Sequence, residues 1–439
     1  MENGSGATTR RRRKADGPLR ILVIGVNYAP EVTGIAPYTA ALASGLAKRG
    51  HRVRALTAMP HYPEWRRRPG YEGWHRTEVL DGVRVDRLRH SLPKRPVGVG
   101  RLVSEVSFGL RVLTARWGRP DVVVFVSPAL FATRIAMLRT RLGRLRGRTV
   151  VWVQDLYSRG IVETAGVDPD DPVARIITAT ESAVLQQATA SVVIHEGFVG
   201  QAIELGARAD SLHVVRNWTH LHPGVEDRTR EAVRERLGWQ DDEVIALHSG
   251  NMGVKQALGN LVDAARLADD RDAPVRFVFT GTGSERAGLE EQARRLGVQR
   301  IGFLDTIAQH EFPATLGAAD VLLLNEAPGL REMAMPSKLT SYFSAGRPVV
   351  AATDAASLSA REVASSGAGV RVDPADPVAL LDEIERIAGD AALIAELGGN
   401  GLRYSSERLD QQVAVSAFER VLRSVVSGGS DEACSSSDR

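Results

Sequence analysis

The segment that most constrains this chain runs from Ala319 to Ala351, because it reads as strand, loop, helix and strand in direct succession. Residues 319–324 are apolar but for Asp320, the pattern of a strand covered on both faces. Pro336 and Ser337 open the helix, proline suiting a first turn and serine offering a cap for free amides. Leu339, Tyr342 and Phe343 fall at i, i+3 and i+4 and so share one face. Gly346 stops the helix, and Val349–Ala352 returns as the next strand. Such a unit leaves a helix N-terminus open at the carboxyl end of a parallel sheet, where N–H groups and the helix dipole favour an anion such as phosphate. Lys338 sits in that first turn, where the dipole disfavours a cation; a diphosphate ligand would resolve the conflict. An ordinary βαβ unit with a solvated lysine accounts for the same residues, and both readings stay open at this point.

The same alternation recurs along the chain. At 439 residues it is too long for one typical core, so two domains are expected. Residues 1–18 are basic with no apolar core and read as a disordered tail, not a secretory signal. Strands at 21–26, 52–57, 83–88, 121–126, 149–154 and 191–194, with helices between, predict a doubly wound parallel sheet over 19–216. A polar linker, 217–230, follows. Strands at 244–248, 275–280, 300–304, 321–324, 349–352 and 370–372 then build a second such domain over 231–408. A helix over 409–426 is expected to pack back on the first domain, and 427–439 is a second disordered tail.

Composition narrows the class. The 43% apolar and 25% charged residues are those of a soluble globular protein, and no apolar run reaches the roughly 18 residues of a bilayer span. Only five of the 56 basic residues are lysine, a bias of genomic base composition, and the net charge is +3; nucleic acid is not an expected partner. The sole cysteine, Cys434, excludes disulfides within the chain and cysteine-based metal sites, and fits a reducing cytoplasm.

Paired Rossmann-like sheets bind ligands at the carboxyl ends of their strands. Two glycine-rich strand ends, His248–Gly253 and Thr280–Ser284, are either tight turns or phosphate contacts, and with Pro336–Lys338 on the same sheet they compose a candidate phosphate site. His195 and His248 end strands and could meet a sugar hydroxyl. Asp155 could orient or deprotonate an acceptor hydroxyl, or cap a loop. Glu31 has the same two roles open to it. In the loop 59–77, His61, Tyr62, Trp65, Tyr71 and Trp74 interleave with Arg66–Arg68, which suits a ligand carrying both sugar rings and phosphates, or a solvated loop. The stripe Leu102, Val106, Leu110 and Leu113, flanked by arginines 101, 111 and 116, fits either a core-facing helix or contact with an anionic membrane surface.

Taken in order, Asn27–Ile35, Leu46–Val53, Pro60–Pro63, Ser127-Pro128, Gln154–Tyr157, Asn217-Trp218, Ser249–Gly253, Phe303–Asp320, Pro336–Leu339 and Ala345–Val349 resemble the retaining glycosyltransferases of family 4. The resemblance covers about residues 20–425 and leans toward the colanic-acid and exopolysaccharide branch. It implies an α/β fold of GT-B type, two Rossmann-like doubly wound domains facing across a cleft. It also implies transfer of a sugar from a nucleotide diphosphate sugar to an acceptor hydroxyl, with no cofactor and no metal. The acceptor would be a glycan, a lipid-linked species or a small molecule, at the inner face of the plasma membrane. Catalytic roles would fall to Asp155, Lys255 and Lys338. Gly250, Asn251 and Lys255 would lie along the diphosphate, Gly281 and Gly283 against the nucleotide, and Phe303 and Leu304 against the base through their backbone. Ser337, Lys338 and Leu339 would cap the phosphates. Glu31, Gly34, Ile35, His61, Tyr62 and Asp155 would face the acceptor. The chain departs from the family pattern at Asn251 and Gln256, where an Arg and a Lys are usual, and at Gln154, where a His is usual. Met333 and Ser341 occupy the usual glutamate positions, leaving Glu332 as the adjacent substitute. A GT-B nucleotide-sugar epimerase and a degenerate, non-catalytic GT-B binding subunit are the alternative readings.

Overall fold

The computed structural model describes residues 17–428 except 33, 63, 94–97, 142–144, 159–167, 169–170, 220–228, 309 and 331–336. All but two residues of each expected tail, most of the linker and Glu332 therefore lie outside the described residues, and Ser427, expected in the second tail, ends the last helix. The chain forms two compact units, one of Met1–Asn217 with Gln411–Arg439 and one of Trp218–Asp410.

The first unit holds β1 (Arg20–Ile24), β2 (Arg52–Ala58), β3 (His75–Leu80), β4 (Val83–Leu88), β5 (Val122–Val126), β6 (Thr149–Val153), β7 (Ala190–Val193) and β8 (Leu212–Val214). Their order is β3-β4-β2-β1-β5-β6-β7-β8, so the winding reverses between β1 and β5 and leaves a crevice at those strand ends. Every pairing is parallel except β3 with β4, which runs antiparallel from His75 opposite Leu88 to Leu80 opposite Val83. Strand β3 corrects the sequence reading, which left residues up to 77 in a loop. Its signal is Asp81-Gly82, both residues at positive φ (47° and 80°), the hairpin turn that a right-twisted pair of strands favours.

The helix Gln411–Ser427 belongs to this unit. Phe418 meets Trp152 edge-on at 5.2 Å, and a Cβ on Gly45 would lie 2.8 Å from a Val415 methyl. The N–H of Leu19 donates to His51 Nδ1, so the ring proton sits on Nε2, 3.1 Å from Glu419 Oε1. Arg49 and Arg423 also donate to Glu419, at 2.6 and 2.9 Å. Burial acts to raise this carboxyl, but bonds from Arg49, Arg423 and His51 outweigh it and hold it at about 2. The folded value lies below the ordinary 4.5, so the stabilisation is complete above pH 4.5 and lost as pH falls toward 2. Allowing for solvent screening, this is about 1–2 kcal/mol. Denaturant midpoints between pH 6 and 2.5 should show Glu419→Gln losing that part of the acid sensitivity.

The second unit holds β9 (Val244–Ser249), β10 (Val275–Thr280), β11 (Ile301–Leu304), β12 (Val321–Asn325), β13 (Val349–Ala352) and β14 (Gly369–Val372), all parallel, in the order β11-β10-β9-β12-β13-β14. Winding reverses between β9 and β12. Ala246, Phe277, Phe279, Leu323 and Val350 point into one core layer, and Ile245, Leu247, Val278, Leu322 and Ala351 into the other. Two covered faces explain the unbroken apolar runs. Leu339, Tyr342 and Phe343, from the helix Ser337–Ser344, fill the second layer together. Asp320, the polar break in the run, precedes β12: its Oδ2 accepts from the Ile245 N–H at 2.8 Å and from Arg234 at 3.0 Å, and its Oδ1 accepts from Arg230.

Candidate functional site

In the second unit, the loops after β9 and β10 are joined beyond the strand ends. The N–H groups of Gly250, Met252 and Glu285 donate to Thr280 O, Thr282 O and Met252 O at 2.8, 2.9 and 2.9 Å. A Cβ on Gly281 would lie 2.2 Å from Gly250 O, with φ at +122°, and one on Gly283 would lie 2.1 Å from Met252 O. Close backbone approach alone thus requires both glycines, whatever ligand meets them. Gly283→Ala should cost about 2–3 kcal/mol by overpacking and lower the thermal midpoint by about 4–12 °C. Gly288→Ala, whose Cβ meets nothing within 4 Å, should leave the midpoint in place.

Lys338 comes from the first turn of the helix Ser337–Ser344 and lies over the Gly250 loop. Its Nζ stands 3.0 Å from His248 Nε2 and 3.4 Å from Asn251 O, and its Cε is 3.0 Å from the position a Gly250 Cβ would take. Burial lowers the ammonium from its ordinary 10.5 to about 7, with Glu326 pulling the other way. Glu326, just past β12, accepts from Ser359 Oγ at 2.6 Å and from Thr353 Oγ1. Asn325, at the end of β12, donates to Gln256 O and Ala257 O at 2.8 and 3.1 Å and accepts from Asn260. That clamp holds the turn bearing Lys255, which is exposed and whose carbonyl accepts from the Ala327 N–H at 2.8 Å. Two of the departures from the family pattern meet: Asn251 Nδ2 donates to Gln256 Oε1 at 3.2 Å, and the same oxygen accepts from the Gly253 N–H at 3.0 Å. A neutral amide pair stands where the family pattern has two cations.

The groups at other expected contacts have partners within the protein. Leu339 is in the core, and Phe303 stacks on Phe279 at 4.9 Å. The Leu304 carbonyl, expected to meet a base, accepts from Arg286 at 3.1 Å; Arg286 also donates to Gly281 O at 2.8 Å. Glu326, Asn325 and Arg286 were not singled out from the sequence, since no motif or period marks them. Both histidines expected to reach a sugar are buried: His195 Nδ1 accepts from the Gly197 N–H at 2.8 Å, and both ring nitrogens of His248 have protein partners. Ser337 opens its helix, and Glu332 is outside the described residues.

In the first unit a pocket of about 190 Å³ opens at the crevice between β1 and β5, lined by Val26 and Asn27 from one strand end and Pro128 and Ala129 from the other. Gly34, Ile35, His61 and Tyr62 line it together, as do Trp65, Arg101 and Glu105. Gly34 and Ile35 lead into the helix Ala36–Lys48, whose N-terminus has no side-chain cap, so its amides suit an anion. Glu105 is buried; burial raises its carboxyl, and Arg101, 3.4 Å away, partly offsets this. Glu31 and Asp155 do not line the pocket. Glu31 is 2% exposed, and its carboxylate accepts from the N–H groups of His61 and Tyr62, each at 2.8 Å, and from Asn27 at 2.9 Å; it joins two loops. Asp155 is half-buried beyond β6, its carbonyl accepting from Ser127 Oγ at 3.0 Å, while Gln154 exchanges amide bonds with Asn217 at 2.8 and 3.3 Å. The loop aromatics divide: Tyr62 and Trp65 face the pocket, whereas Arg76 and Arg87 cover Tyr71 at 4.8 and 5.1 Å and Arg89 and Arg111 cover Trp74 at 4.9 and 5.7 Å.

These two strand-end sites sit on sheets that known families share. Residues 33–218 match the Glycosyl transferase 4-like domain and residues 243–390 the Glycosyl transferases group 1 family. A protein of Escherichia coli (strain K12), named as a colanic acid biosynthesis glycosyl transferase, WcaI, is 31% identical over 416 residues, covering 92% of this chain and 100% of that one. Sucrose-phosphate synthase (tll1590) from Thermosynechococcus elongatus superposes with a TM-score of 0.71 at 19% identity, over 92% of this chain and 98% of that one. Anabaena Alr3699/HepE in complex with UDP and glucose does so with a TM-score of 0.65 at 17% identity, over 92% and 100%. The chain belongs to the glycosyl transferase 4-like family and is a glycosyltransferase of GT-B fold.

Proposed function

We propose that the chain transfers a sugar, with retention, from a nucleotide diphosphate sugar to an acceptor hydroxyl in polysaccharide, glycolipid or glycosylated natural-product synthesis. The observation that carries this reading is Lys338 held over the Gly250 loop at the crevice between β9 and β12, where charge would develop on a departing diphosphate. The UDP and glucose bound to HepE support a nucleotide donor. In this reading Lys338 and Lys255 supply the charge, no metal is required, and Asn251 contributes through its loop. The pocket at Gly34–Ile35 and Tyr62–Trp65 takes the acceptor, its aromatics suiting a sugar face and its helix N-terminus a phosphate. Asp155 orients the acceptor hydroxyl. A thermal-shift screen of UDP, GDP and ADP should give stabilisation by one of them. Release of free nucleotide from the matching nucleotide sugar only when acceptor is supplied would single out the transferase. Binding without any turnover would overturn it in favour of a non-catalytic subunit, and isomerised donor without acceptor in favour of an epimerase. The anomeric configuration of the product, read by NMR, tests retention.

The same reading puts the chain in the cytoplasm, against the inner face of the plasma membrane. Among the described residues no helix is long and apolar enough to cross a membrane. On the helix Val99–Thr114, Leu102 and Leu110 are 39% and 51% exposed, and Val99 and Val103 are exposed beside them, so much of the apolar stripe faces outward. The inward side is Ser104, Glu105, Phe108, Gly109 and Val112. Co-sedimentation with vesicles rich in anionic lipid should be strong for the native chain, and about tenfold weaker for Leu102→Ser/Leu110→Ser.

A further inference from the structure

The inference drawn here rests on the crevice between β9 and β12 being a diphosphate site. We propose that His248 is a positioning residue that holds Lys338 Nζ beside Gly250 as a neutral acceptor, so that a nucleoside diphosphate binds together with a proton taken up by Lys338. His248 is wholly buried on β9, and its Nδ1 lies 3.3 Å from Leu323 O, a carbonyl that can only accept. The proton is therefore on Nδ1, and the lone pair of Nε2 faces Lys338 Nζ at 3.0 Å. The other contact of Nζ, Asn251 O at 3.4 Å, is also neutral. A carboxylate in the place of His248 would cancel the ammonium charge. An imidazole satisfies one N–H and leaves the charge for an incoming anion.

Among the described residues, the titratable groups acting on Lys338 are His248 from β9 and Glu326 from the end of β12. Glu326 has its oxygens held by Ser359 and Thr353. His248 is kept well below its ordinary value by burial first and by Lys338 second, against the pull of the Leu323 and Asn251 carbonyls, so it stays neutral. Burial brings Lys338 to about 7, so only part of the population is charged near neutrality. A bound diphosphate favours the charged form and raises that value. Above pH 7, binding must then draw in a proton, and affinity must fall toward tenfold per pH unit.

Calorimetric titration of the intact chain with UDP, GDP and ADP at pH 6.5, 7.5 and 8.5, in pairs of buffers of different ionisation enthalpy, counts that proton. At pH 8.5 a terminal phosphate, with a second pKa near about 6, is already ionised and silent. The expected result for the nucleotide that binds is uptake of about 0.5–1 proton per site at pH 8.5, with affinity falling about five- to tenfold between pH 7.5 and 8.5. Lys338→Arg, always charged, should bind with no uptake and a flat pH profile. His248→Gln keeps an acceptor and should stay within about threefold of the native affinity. His248→Val should lose about tenfold at pH 7.5 and shift the profile to lower pH, since the ammonium loses a partner. Nucleotide binding by the native chain without proton uptake, or a His248→Val profile that overlays the native one, would overturn the proposal while the donor site survives. Binding of none of the three nucleotides would instead remove the donor-site reading on which it rests. The native proton count needs no substitution at a buried position.

Discussion

Lys338→Met is expected to lower nucleotide release by about 10²–10³-fold, the scale of removing one preorganised charge-stabilising donor, while leaving the thermal midpoint equal or slightly higher. The asymmetry follows from the site. The half-buried ammonium lies against neutral acceptors, a placement that holds it at about 7 and gives folding nothing. Methionine has a similar length and no charge to desolvate, so the second core layer, built from Leu339, Tyr342 and Phe343, is undisturbed. Loss of activity together with a midpoint lowered by more than a few degrees would mean that Lys338 is a structural residue and the leaving-group assignment fails. Kinetics at saturating donor, with a melting curve on the same sample, decide it.

Asp320→Ala should be the most damaging change to stability, at about 3–5 kcal/mol, because it strands buried positive charge. Arg234 is 2% exposed, and among the described residues its partners besides Asp320 are carbonyl oxygens, Glu243 O at 2.7 Å among them. Arg230 bonds the same carboxylate, and Arg347 lies close enough to be acted on by all three groups: burial first, then Arg230 and Arg234, lower it against the pull of Asp320. Removing this anion takes from Arg230, Arg234 and Arg347 the carboxylate that acts on all three. It also frees the Ile245 N–H that Asp320 accepts at 2.8 Å. Asp320→Asn keeps an acceptor for that amide and should cost less. Guanidinium chloride midpoints for the pair would show the order, and equal losses would mean that the charge, not the amide bond, dominates.

Much of the fold was legible because a strand buried on both faces has little freedom in composition. The runs at 321–324 and 349–352 are apolar along their length, and 275–280 is apolar but for Arg276 and Thr280; the structure puts all three in strands with bounds shifted by one residue at most. Strand β3 was missed because a half-exposed edge strand, His-Arg-Thr-Glu-Val-Leu, carries no apolar run, and only the Asp81-Gly82 turn betrays it. At the site, glycine and lysine positions marked the loops. Spacing could not say that Gly281 and Gly283 are required by backbones packed on each other, or that Lys338 would find its partner 90 residues earlier on β9. Periodicity showed that the helix Val99–Thr114 has an apolar stripe, but not which way it faces. A Cβ on Gly109 would lie 2.9 Å from Ala132 Cα, and this close approach turns the small-residue side inward.

The division of the chain bears on its biosynthesis. The first unit is discontinuous: its sheet is complete by residue 217, yet the helix that covers Trp152 and seats against Gly45 is translated only after all of the second unit. During synthesis the second unit can close on contiguous sequence, whereas the first must wait with an apolar flank uncovered until Gln411–Ser427 emerges. A nascent chain halted at Asp410 would therefore carry a finished C-terminal lobe and an unfinished N-terminal one, a natural substrate for holding chaperones.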